Sequence, residues 1–85
     1  MTRLLDQLDK LKTQFGVKEA RRVRTLLERL ARKRLRDPEL LIHFHELLLF
    51  LRAYPHNAAT MRLAEAQLRT FADRIAELRA RDVDL

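Results

Sequence analysis

Apolar residues recur every three or four positions along most of the chain, which is the period of an amphipathic helix. The first apolar stripe consists of Leu4, Leu8, Leu11 and Phe15. It predicts a helix over residues 2–15, and we expect Gly16 to end that helix as a C-terminal cap. A second helix is predicted over residues 18–36. Its core side consists of Ala20, Val23, Leu26, Leu27, Leu30 and Ala31.

The third helix has the clearest start signal in the chain. Asp37 is the predicted N-cap, and Pro38 suits the first helical position. From Leu40 to Tyr54, apolar residues occupy nearly the whole circumference of the predicted helix, which covers residues 38–54. A helix that is apolar on almost every side is expected to be buried on almost every side. We therefore place the third helix at the centre of the fold.

The fourth helix is predicted over residues 58–80, with Asn57 as its N-cap. It has a heptad-like apolar seam, which consists of Met61, Ala64, Leu68, Phe71, Ile75 and Leu78. Such a seam packs either against the third helix, as an antiparallel hairpin, or against a second copy, as a coiled-coil dimer. The short link at residues 55–57 favours the hairpin, and a homodimer remains the alternative.

Composition supports an all-helical fold. The 85 residues include one Gly and two Pro, and 47% of them are apolar. So few helix breakers predict an all-α protein, a compact four-helix bundle that forms a single domain over residues 1–85. The alternative is that this domain is the N-terminal module of a longer protein.

The sequence also bears on the compartment. It has no Cys, which suits a reducing environment. Its first residues are charged and lack the apolar core of a signal peptide. The longest apolar stretch, residues 40–51, is interrupted by polar side chains and is too short to cross a bilayer. We therefore expect a cytoplasmic protein without a membrane association.

Positive charge is concentrated in the first half of the chain. Residues 1–36 hold twelve Lys or Arg and four Asp or Glu, whereas residues 37–85 hold six and eight. At 100° per residue, seven of these cations fall within an arc of about 120° on the second helix, opposite its core side. We call these seven residues the basic face: Lys18, Arg21, Arg22, Arg29, Arg32, Lys33 and Arg36.

Three interpretations of the basic face are open. It is a solvated surface in an Arg-rich protein, a contact for an acidic protein surface, or a site that follows the phosphates of a nucleic acid. The face has no aromatic residue for base stacking and no Asn or Gln for reading base edges. Any nucleic-acid binding is therefore expected to be weak and independent of sequence.

The remaining polar residues offer few candidates for catalytic or metal-binding groups. Glu39, His43 and Glu46 share one stripe of the third helix, but a metal site in a bundle draws ligands from several helices. We expect instead that His43 pairs with a neighbouring carboxylate. His45 is expected to be partly buried or to lie at an interface, and His56 is expected to be solvated in the loop. No hydroxyl is placed beside a His by spacing, and no Gly-rich loop is present.

These observations predict no enzymatic activity, cofactor or metal. The expected function is that of a non-catalytic helical module for protein interaction or scaffolding, with an acidic protein surface as its partner. The alternative is a nucleic-acid-binding module that uses the basic face.

Overall fold

The chain forms four α-helices. The computed structural model of the protein describes residues 2–11, 16–33 and 35–82. The helices are α1 (Thr2–Leu11), α2 (Val17–Leu30), α3 (Pro38–Ala53) and α4 (Ala58–Ala80), and the described ranges contain no strand. The predicted all-α bundle of four helices is confirmed. None of the described helices has the length and apolar character needed to cross a membrane.

The most extensive helix–helix contact joins α3 to α4, as the predicted hairpin requires. Asn57 caps α4, because its side chain accepts a hydrogen bond from the Thr60 amide at 3.0 Å while the Thr60 hydroxyl accepts from the Asn57 amide at 3.1 Å. At the centre of the hairpin, the rings of Phe44 and Phe71 lie 6.5 Å apart. α3 also packs against α2, and α4 contacts all three other helices.

The seam of α4 is buried within its own chain. Its six members are at most 4% exposed, which confirms the prediction that the seam packs inside one subunit. A coiled coil with a second copy through the same seam would require the hairpin to open, since one apolar face packs against one partner at a time.

The expectation that α3 is buried on nearly every side is wrong. Leu40, Phe44, Leu47, Leu48 and Leu51 are buried, and they occupy one side of the helix. The opposite side faces solvent, where Ile42 is 57% exposed and Leu49 62% exposed. α3 contacts two helices, and two neighbours do not cover the whole circumference of a third.

The described bounds of the first two helices bear on the predicted ones in different ways. α1 is described as far as Leu11, and residues 12–15 of its predicted span lie outside the described residues. Gly16 has φ −150° and ψ −170°, an extended conformation, and it serves as the N-cap of α2. The prediction that Gly16 forms a left-handed C-terminal cap is therefore wrong.

α2 ends at Leu30, six residues before its predicted end, and a turn follows at residues 31–33. The physical reason is Leu35, which is buried in the core. At 100° per residue, a continuous helix would place Leu35 outside the arc that holds Leu26, Leu27 and Leu30. Ending the helix early allows Leu35 to reach the core.

A largely buried ion pair between Asp37 and Arg74 lies at the start of α3. The Asp37 carboxylate caps α3 by accepting from the Leu40 amide at 2.8 Å. It also accepts two hydrogen bonds from the guanidinium of Arg74 on α4, at 2.8 and 3.0 Å. The side chains of Arg74 and Asp37 are only 16% and 10% exposed. Glu39 and Glu77 lie against the same guanidinium at 3.3 and 3.2 Å.

These contacts shift the ionisation of both partners. The hydrogen bonds from Arg74 hold the pKa of Asp37 below its ordinary value of 3.8, and the Leu40 amide acts in the same direction. The same pairing raises the pKa of Arg74. Both groups therefore stay charged in the folded protein throughout the neutral range.

Replacing Leu47 by Asp is expected to unfold the domain. Leu47 is fully buried. An unpaired charge in its place costs several kcal/mol, against a total stability of about 5–10 kcal/mol for a chain of this size. Leu49→Asp on the exposed side of the same helix is the matched control and should leave the circular dichroism spectrum unchanged. Equal helicity of the two variants would contradict the assignment of the core side of α3.

The Asp37→Asn variant is expected to melt at a lower temperature than the parent at pH 7. Asn is an equally good N-cap, so the change removes the charge while keeping the cap. Because the pKa of Asp37 is lower in the folded state, the charged carboxylate stabilises the fold above pH 3.8. That contribution disappears as the pH falls through the folded-state pKa, so the two melting temperatures should converge in acid.

Asp73→Asn on the exposed surface of α4 is the control, because it makes the same change of charge. It should melt like the parent at both pH values. A difference between Asp37→Asn and the parent that persists unchanged at pH 2 would contradict the role of the charge.

Candidate functional site: the basic face

The basic face is confirmed as exposed, but it does not lie on a single helix. All seven of its residues are exposed. Four of them project from α2, namely Lys18, Arg21, Arg22 and Arg29. Arg32 and Lys33 follow in the turn, and Arg36 lies in the extended link to α3. The prediction that all seven share one helix is wrong, because α2 ends at Leu30.

The orientation of the α2 cations follows from the apolar side of the helix. Ala20, Val23, Leu26, Leu27 and Leu30 are buried against the other three helices. The cations on α2 lie on the opposite side, where they are exposed, and their side chains therefore point into solvent. From Lys18 to Arg29 this row extends for about 16 Å along the helix axis, at a rise of 1.5 Å per residue.

Six of the seven cations have no carboxylate partner among the residues that the structure describes. They are Lys18, Arg21, Arg22, Arg29, Arg32 and Lys33. Several arginines elsewhere are paired: Arg69 lies 2.8 Å from Glu65, and Arg79 lies 2.8 Å from Asp6. The positive charge of these six cations is thus not balanced by a carboxylate in the described part of the chain, whereas several cations elsewhere are paired within the fold.

Arg24, on the edge of α2, shows the contrast. Its guanidinium lies 3.4 Å from Glu28, whose carboxylate also accepts a hydrogen bond at 3.1 Å from Arg52 on α3. The hydrogen bond from Arg52, together with the bond from Arg24, lowers the pKa of Glu28. Glu28 therefore links α2 to α3, and its carboxylate balances the charge of Arg24.

Two open depressions flank the row of cations. The first, of about 410 Å³, is lined by Gln7, Arg21, Arg22, Thr25, Leu26 and Arg29. The second, of about 520 Å³, is lined by Arg21, Arg24, Thr25, Glu28 and His56. Arg21 and Thr25 belong to both, and the Thr25 hydroxyl donates its hydrogen bond to the Arg21 carbonyl at 3.0 Å. The first depression offers a ligand mainly the N–H donors of three guanidinium groups. Such donors suit carboxylate or phosphate oxygens.

Gln7 and His56 line these depressions from elements other than α2, and the sequence analysis did not place them beside the basic face. Gln7 comes from α1 and His56 from the α3–α4 link, and no local spacing connects either of them to α2. The expectation that His56 is solvated is wrong. It is half-buried, and its Nε2 lies 3.1 Å from the Leu51 carbonyl at the end of α3.

The other two histidines, His43 and His45, each contact a neighbouring side chain on α3. His43 Nε2 lies 3.6 Å from Glu39 Oε1, which is the predicted pairing with a neighbouring carboxylate. His45 is exposed rather than partly buried, and its ring meets the edge of Phe44 at a centroid distance of 5.2 Å. Within the described ranges, no three His, Asp or Glu residues are grouped so as to hold a metal ion.

Comparison with known proteins found no relative: no family model matches the chain, and no curated protein or solved structure is significantly similar to it. The geometry of the basic face is therefore the basis for any functional proposal.

Proposed function

We propose that the protein is a non-catalytic helical interaction module that binds an acidic protein surface through the basic face. The observation that supports this proposal is the group of six exposed cations without a carboxylate partner in the described part of the chain. Neighbouring cations repel one another, and an acidic partner relieves that repulsion while supplying hydrogen-bond acceptors.

The expected binding is additive and sensitive to salt. One exposed ion pair is worth only about 0.2–1 kcal/mol, so useful affinity requires several contacts at once. The row from Lys18 to Arg29 is long enough for several, and the turn extends it with Arg32 and Lys33. Such a surface also attracts a partner at long range, an effect that falls with ionic strength.

Carboxylates are the favoured acceptors because four of the six cations without a carboxylate partner in the described residues are arginines. The planar guanidinium donates two parallel hydrogen bonds to one carboxylate.

The alternative function is nucleic-acid binding. Nucleic-acid binding is favoured because the row of cations continues from α2 into the turn and the link. The longer row can follow more phosphates of a nucleic-acid backbone. Contacts to phosphates alone would not select a sequence.

The double variant Arg22→Glu/Arg29→Glu is expected to weaken polyanion binding at least about tenfold, because each reversal removes an attraction and adds a repulsion. The matched control is Arg62→Glu/Arg69→Glu on α4, which has the same seven-residue spacing and the same change of net charge. Fluorescence titrations would use labelled polyglutamate, duplex DNA and single-stranded RNA at two salt concentrations. Circular dichroism would verify that both variants remain folded.

Polyglutamate binding that is lost in the first variant and kept in the second would support the proposal. A preference for DNA or RNA, with a salt slope of about −0.9 per phosphate contacted on duplex, would favour the alternative. Absence of binding to all three probes at low salt would overturn both. Equal losses in the two double variants would mean that net charge, and not the basic face, governs binding.

A further inference from the structure

A second surface, on the outer side of the α3–α4 hairpin, is apolar. We call it the hairpin face. Leu49, Phe50 and Tyr54 line one depression there. Two further exposed residues lie on the same sides of the helices by their spacing, namely Ile42, seven residues before Leu49, and Leu63, four residues before Gln67 of the same depression. Four of these side chains are more than half exposed, and Phe50 is half-buried. Isolated exposed apolar residues are ordinary, but a contiguous group of large ones usually marks a contact surface.

The hairpin face contains a groove between the two helices. One depression, of about 340 Å³, is lined by Glu46, Leu49, Phe50, Ala53, Tyr54 and Gln67. A smaller one continues it past His43 and Thr70. Gln67 lines both, and its Oε1 is buried without a hydrogen-bond donor among the described residues. The groove thus combines apolar walls with an acceptor that lacks a partner, a combination that a free surface seldom keeps.

We propose that a second copy of this chain covers the hairpin face. The distribution of charge supports this occupant. The protein has a net charge of +6, so two copies repel each other wherever their basic surfaces would meet. Among the described residues, no Lys or Arg lines either depression of the hairpin face, and the basic face shares no residue with it. This surface therefore allows two copies to approach without bringing cations together.

The apolar content of the hairpin face also fits self-association. A two-fold interface contains the same patch twice, so pairing places ten large apolar side chains between the two copies. Aromatic and aliphatic anchors at the centre of an interface supply most of its binding energy. Phe50 and Tyr54 provide such a pair, with ring centroids 4.7 Å apart.

Pairing through the hairpin face has a consequence for the rest of the molecule. The basic face lies on other elements, so it stays open in both copies. A dimer would then present two basic faces to one partner, and linked sites bind an extended partner more tightly than a single site does. The dimer itself does not depend on the proposed binding of an acidic protein.

Sedimentation equilibrium of the full chain over a wide concentration range tests this proposal. The expected result is a mass that rises from 10.1 kDa to twice that value, with no loss of association at high salt. Leu49→Glu is expected to raise the dissociation constant at least about tenfold, because the two-fold interface contains each substitution twice. Leu63→Glu, on the other helix of the face, should have the same effect.

Val17→Glu is the matched control, since Val17 is an exposed apolar residue at the start of α2, outside the hairpin face. It should dimerise like the parent. A parent chain that stays monomeric at the highest concentration overturns the proposal. So does a dimer that survives both Leu49→Glu and Leu63→Glu, or one that Val17→Glu weakens equally. Failure of polyglutamate binding leaves this inference standing, since the two tests probe different residues.

Discussion

The carboxylate of Asp37 connects local and tertiary structure, because it caps α3 at the Leu40 amide and also pairs with Arg74 on α4. The first contact ends the link and starts α3, and the second ties that start to the C-terminal half of α4. Once both are made, the hairpin is fixed at the end opposite to its own connection at residues 54–57. The rest of the bundle packs on this hairpin, because α2 contacts both of its helices and α1 rests on α4 and α2.

Charge and apolar surface are separated on the outside of this bundle. α2 directs its unpaired cations away from the core, whereas α3 has more apolar residues than its contacts with α2 and α4 cover. Both surfaces follow from one cause. A small bundle offers each helix one buried side, and whatever the sequence places on the other side remains available for contacts with other molecules. The hydrophobic excess of α3 and the cationic excess of α2 therefore persist at the surface.

Whether an arginine forms an ion pair depends on which carboxylate lies near it in the folded chain. Arg24 and Arg52 meet at Glu28, and Arg74 meets three carboxylates, so these arginines hold helices together. Arg21 and Arg22 stand close to Arg24 in sequence but face a side of α2 that offers no carboxylate in the described structure. Residue type alone does not separate structural arginines from available ones, since the distinction lies in tertiary neighbours.

By itself, the sequence determined what depends on local spacing. The Asp37–Pro38 start, the Asn57 cap, the span of α4 and the burial of its seam all follow from patterns within a few turns of helix. The exposure of the four cations on α2 follows in the same way from their position opposite the core side. Only the tertiary structure decided where α2 ends, which side of α3 is buried, and which cations are paired. Those outcomes depend on Leu35 reaching the core, on the number of helices around α3, and on acids far away in sequence, such as Asp37 for Arg74. Helical periodicity records which faces are apolar, but it carries no information about which distant residue will meet them.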